Sequence, residues 1–111
     1  MNLKITDNHD GEGVFPLFAK GAAVQDFAQV ASDSHWWQCT IEGHFTYIPD
    51  YFVSENRLNR DYNPTELIAK KGQTVRLLAV VFEWLLVQDE HGGVGWLPAH
   101  KAISDFSEVK L

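Results

Sequence analysis

The stretch HWWQC, His35 to Cys39, sets the chain's only cysteine four residues after a histidine, with two adjacent tryptophans between. Cysteine beside histidine is the minimal pair for a thiolate nucleophile, and the same two residue types make up half of a zinc site. Both readings need more than the pair. A hydrolase also needs an orienting group, an oxyanion site and a cleft, while structural zinc needs a second pair of ligands. The five histidines, His9, His35, His44, His91 and His100, are scattered without close pairing, so neither a metal nor another cofactor is expected. On a strand, neighbouring residues face opposite sides, which separates Trp36 from Trp37 and puts Cys39 on the face of Trp37. With Trp36 outward, Cys39 points inward as a small apolar residue. No catalytic residue is therefore assigned, and the stretch reads as a surface aromatic wall backed by core.

The elements that position this stretch come from a repeat. PLFAKGAAV (16–24) echoes TELIAKKGQTV (65–75), with Leu17 on Leu67, Gly21 on Gly72 and Val24 on Val75. Further on, WWQCTIEGHFTYIP (36–49) echoes WLLVQDEHGGVGWLP (84–98), with Trp36 on Trp84, Tyr47 on Trp96 and Pro49 on Pro98. Recurrence of a whole ordered pattern is stronger than any single motif. TVRLLAVVF and WLLVQ are rich in β-branched and apolar residues, and DEHGG punctuates a hairpin. GAAVQDFAQVAS also admits a helical turn, since Val24, Phe27, Ala28 and Ala31 recur at helical spacing, but its partner GQTVRLLAVVFEW reads as strand. The polar SENRLNRDYNP (54–64) marks a boundary, giving units over 1–55 and 56–111.

The second copy, with DY, then EL..KKG, a tryptophan and GWLP, resembles a bacterial-type Src-homology-3 (SH3) domain, and the first, with KG..V, WW, YIP and YFV, resembles a divergent one. The resemblance implies an all-β chain of two small five-stranded SH3-like barrels packed in tandem, without enzymatic activity. It also implies binding of proline-rich segments, whose polyproline conformation has little entropy left to lose against rigid aromatic ridges. Carried over residue by residue, the ligand surface of the first barrel falls on Trp36, Pro49 and Phe52, with Asp10 and Glu12 of the preceding loop as partners for a ligand cation. That of the second falls on Tyr62, Trp84 and Pro98, with Arg60 and Lys101 standing where the family has tyrosines. The second barrel is expected to be mainly structural, with Tyr62 and Trp84 exposed.

Charge narrows the partners. Residues 1–55 hold eight acids against Lys4 and Lys20, whereas 56–111 hold seven of each sign. An acidic chain without a basic stripe lacks the electrostatic term that drives nucleic-acid binding, which points to a basic protein or peptide, and the resemblance adds a proline-rich one. MNLKITDNHDGEG carries no export signal and no stretch suits a membrane helix, so the cytoplasm is expected. Two alternatives stay open. The aromatic face could mediate homodimerisation or docking to a larger protein, and the cluster Phe45, Tyr47, Tyr51 and Phe52 could cage a methylated lysine.

Overall fold

The computed structural model describes residues 1–11, 13–32 and 34–104. The chain is all-β: β1 (Asn2–Ile5), β2 (Val24–Gln29), β3 (Trp36–Ile41), β4 (His44–Pro49), β5 (Val53–Ser54), β6 (Arg57–Leu58), β7 (Thr74–Val81), β8 (Trp84–Gln88), β9 (Val94–Pro98) and β10 (Ala102–Ser104), with 3-10 turns at Asp50–Phe52 and Ala99–Lys101. It divides into two compact units, one made of Met1–Gly13 with the chain from Thr65 on, the other of Val14–Pro64.

The first of these, the split unit, is an open antiparallel sheet in the order β10-β1-β7-β8-β9. Its core is Leu3, Ile5, Leu67, Ala69, Val75, Leu85, Val87 and Leu97. Strand periodicity explains the selection: Leu3 and Ile5, or Leu85 and Val87, lie two apart and share a face. Val81 and Trp84 are paired across a two-residue turn in which Phe82 (φ 43°) and Glu83 (φ 71°) both adopt left-handed conformations. At DEHGG, Asp89 Oδ1 accepts from the backbone nitrogens of His91 (2.9 Å) and Gly93 (2.8 Å), fixing the predicted hairpin. The segment Thr65–Leu67 lies along β9, with Trp96 N donating to Thr65 O (3.0 Å) and Leu67 N to Trp96 O (2.9 Å). Gly95 permits that approach, because a Cβ there would stand 2.6 Å from Leu67 N.

The second, contiguous unit holds the sheet β2-β3-β4 and the hairpin β5-β6. The segment with helical spacing is strand β2, bulged between Gln25 and Ala28, where Asp26 takes φ 52°. Phe27 stacks on Trp37 with ring centroids 4.6 Å apart, so the apolar spacing serves a bulged strand. The boundary of this unit falls at the end of SENRLNRDYNP, at Pro64. The residues of that stretch build β5, β6 and the arm after them, all within this unit.

The internal repeat is visible as structure. Trp36 lies across from Pro49 and Trp84 across from Pro98, and each proline, at φ −60° with ψ 134° or 135°, opens a 3-10 turn. Gly21 and Gly72 both take left-handed turns, at φ 94° and 95°.

The division at 55/56 is where the structure departs from the sequence reading. Ile5 N donates to Gln73 O (2.8 Å) and Gly72 N to Ile5 O (2.8 Å); in the contiguous unit Leu58 N donates to Ala22 O (2.9 Å) and Gly21 N to Leu58 O (2.8 Å). Further along, His9 bridges Ala69 just as Tyr62 bridges Phe18. Residues 5–9 and 58–62 are thus equivalent arms, and each belongs to the unit containing the other copy's hairpins. The tandem copies have exchanged their first arms.

Candidate functional site

In the contiguous unit, β3 carries Trp36 half-buried opposite Pro49, which is buried. Trp37, on the other face, donates its indole N–H to Ser34 O (3.1 Å). Cys39 is fully buried, and that burial pushes its thiol up to about 12, so the neutral form persists at physiological pH. His35 turns instead to Asp50, Nδ1 to Oδ2 at 3.0 Å. The pair that could have been nucleophile and base is divided between core and surface.

After Pro49 the 3-10 turn sorts the aromatics. With three residues per turn, Pro49 and Phe52 fall on the same side, and both are buried, Phe52 at 6% exposure. Tyr51 lies on the open side at 45%, and Tyr47 of β4 at 44%. Tyr62 is 4% exposed, packed edge-on against Phe52 at 5.4 Å and donating its hydroxyl to Tyr47 O at 2.7 Å. Phe52, Pro49 and Tyr62 therefore support a surface that they do not themselves present, which corrects their expected place in a ligand groove. Tyr62 also stands in the unit of Trp36 rather than that of Trp84.

The arm 58–62 adds two residues that the sequence reading did not use. Arg60 lays its guanidinium over the Phe52 ring at 4.2 Å and the Tyr51 ring at 5.0 Å. Asn59 holds it there: its side-chain oxygen accepts from Arg60 Nε (2.8 Å), while its Nδ2 donates to Tyr51 O (2.7 Å) and Ser54 Oγ (3.1 Å). Asn59 and Arg60 thus add to the surface beside Tyr51. The available signal was that the resemblance noted in the sequence expects a tyrosine at Arg60, and a planar guanidinium can substitute for a ring in stacking.

In the split unit the equivalent positions hold charge. Trp84 is half-buried with His9 edge-on at 6.2 Å, and Pro98 is half-buried. His9 stands where Tyr62 does, and Lys101 where Phe52 does. Lys101 Nζ lies 3.0 Å from His9 Nδ1, and His9 Nε2 lies 2.7 Å from Glu66 Oε1. Asp10 is exposed in this unit, on the same side of the division as Trp84 and Pro98 and not with Trp36. Glu12 lies outside the described residues.

Regrouping the chain also removes its charge asymmetry. The contiguous unit holds six acids against three bases and the split unit nine against six, so each carries a formal −3. No helix among the described residues is long and apolar enough to cross a membrane. Compared with known proteins, the chain matches no family model, no curated protein and no solved structure.

Proposed function

We propose that this chain is a non-enzymatic binding module of two SH3-like units, and that the contiguous unit captures an extended, proline-containing segment of a partner protein. The observation that carries the reading is the arrangement at Pro49. A half-buried tryptophan faces the proline across two strands, and a 3-10 turn then leaves Tyr51 exposed while burying Phe52 beneath it. Rigid rings fixed from below are the surface that a polyproline segment binds at low entropic cost. The five short strands of each unit are compatible with a small barrel of the SH3 kind, although the sheets themselves are open. Asp10 belongs to the other unit, while the contiguous unit keeps a formal −3 of its own.

The test is a two-dimensional NMR titration with proline-rich peptides, following the four indole signals. Shifts at Trp36 that vanish in a folded Trp36→Ala protein, as judged by the remaining indoles and the ring-shifted methyls, support the reading. Saturable binding unchanged by Trp36→Ala would overturn it.

An assembly role is favoured by a different observation. Leu78, Val80 and Phe82 alternate along β7 and its turn, and all three are exposed, an apolar row suited to a protein interface. Sedimentation across a concentration series separates the two readings: a dimer that protects this row while Trp36 stays open to peptide would give the protein both roles.

A further inference from the structure

Arg60 is exposed, yet it is held in one place. Its guanidinium rests in the corner between Tyr51 and Phe52, whose rings stand at 89° to each other with centroids 5.0 Å apart. Its Nε is occupied by Asn59, which is itself fixed by its backbone N–H to Phe52 O at 2.9 Å and by its amide bonds to Tyr51 and Ser54. The nearest acids in sequence and across the turn are engaged elsewhere: Asp61 Oδ1 accepts from Lys20 N at 2.8 Å, and Asp50 Oδ2 meets His35 at 3.0 Å. Among the described residues, the two terminal nitrogens of Arg60 have no hydrogen-bond partner. A stacked guanidinium with its stem tied down and its outer N–H groups open is a preorganised fork for a carboxylate. Stacking removes the rotamer freedom that an arginine ordinarily loses on binding.

We infer that the contiguous unit reads an acidic side chain of its partner, with the carboxylate of a glutamate or aspartate bridging Arg60 Nη1 and Nη2 beside the exposed face of Tyr51. The inference rests on the peptide-binding reading above and sets the sign of its ligand. A tyrosine at this position would offer a ring to a proline; Arg60 offers a charge, which selects an acidic flank over a basic one. Asn59 is the positioning residue, since it holds the fork without facing the ligand.

The experiment uses the full chain and three acetylated, amidated ten-residue peptides that share a Pro-X-X-Pro core and carry Glu, Gln or Lys on both flanks. Affinity is followed at the indole signals, and the Arg60 Nε–H resonance is followed directly. The expected order is Glu over Gln by about tenfold at low salt, with Lys weakest, as suits one charge-assisted bidentate contact. The Arg60 Nε signal shifts only with the Glu peptide. In Arg60→Gln the preference for Glu falls below about twofold, and Arg60→Lys, which keeps charge but loses the fork, retains no more than about threefold. Equal binding of the Glu and Gln peptides, or a preference for Lys, overturns the inference and leaves the peptide groove standing. A preference for Glu that persists in Arg60→Gln also overturns it, by placing the anion elsewhere. Failure of all three peptides to bind overturns both. Should Arg60→Gln unfold, the ranking on the unsubstituted protein and the Arg60 Nε shift still decide the matter.

Discussion

Arm exchange makes an asymmetric prediction about two buried residues. Leu58 belongs to the second sequence copy but is buried, at 2% exposure, in the unit of Trp36 and Trp37. Ile5 belongs to the first copy but is buried, at 1%, in the unit of Trp84 and Trp96. Truncating Leu58 to alanine removes roughly three methylene equivalents at about 0.8 kcal/mol each, and the residual cavity brings the loss to about 3 kcal/mol. A unit of this size has on the order of 3–8 kcal/mol in total, so the loss is a large fraction of what holds it together. Native-state hydrogen exchange reads this locally. With Leu58→Ala, the amides of β3 and β4 and the indole protons of Trp36 and Trp37 exchange about a hundredfold faster, while those of β8 and β9 with Trp84 and Trp96 change far less. Ile5→Ala gives the reverse pattern. If Leu58→Ala instead loosens β8 and β9 more than β3 and β4, each arm sits within its own copy and the exchange is refuted.

Three further outcomes are expected. Gly95→Ala forces a Cβ to 2.6 Å from Leu67 N and displaces Thr65–Leu67 from β9; with two backbone hydrogen bonds at stake, urea denaturation should show a loss of about 2–3 kcal/mol. Because the folded-state pKa of Cys39 is raised from 9.0 to about 12, the unfolded chain releases its thiol proton first. Stability from this source is therefore complete below about pH 9 and declines as pH rises toward 12. Cys39→Ala should flatten that alkaline slope in pH-dependent denaturation, and the unsubstituted thiol should label only on unfolding. Replacing the left-handed turn residues by Phe82→Asn with Glu83→Gly should raise the midpoint of thermal unfolding by several degrees, corresponding to about 1 kcal/mol.

Strands β7, β8 and β9 and the DEHGG hairpin were legible in the sequence, because alternation, turn chemistry and the repeat agreed there. Choice of partner was not. KIT (4–6) and RLN (57–59) present the same pattern, one buried apolar residue between polar ones, so nothing local says which arm completes which unit. The same ambiguity misplaced Asp10 and Tyr62, each of which goes with its arm. Phe52 is placed on the ligand surface by the resemblance alone, whereas the 3-10 turn brings residues three apart onto one buried side and leaves Tyr51 outside. Arg60 and Asn59 lie within the polar stretch that marks a boundary in the sequence, and only the pairing of that segment with Phe18 and Ala22 makes them part of a surface.

Arm exchange also sets a timetable for synthesis. The contiguous unit is complete once residue 64 has left the ribosome, and it can fold while the rest of the chain is still being made. The split unit cannot, because β1 finds its first partner in β7 and its second in β10. At roughly 5–20 residues per second, the span from Pro64 to Ser104 takes about 2–8 s to translate. Until β7 emerges, the apolar strand bearing Leu3 and Ile5 has no sheet to join, while the contiguous unit follows it on the same chain. A nascent chain stalled between residues 64 and 74 would expose β1 as an open edge.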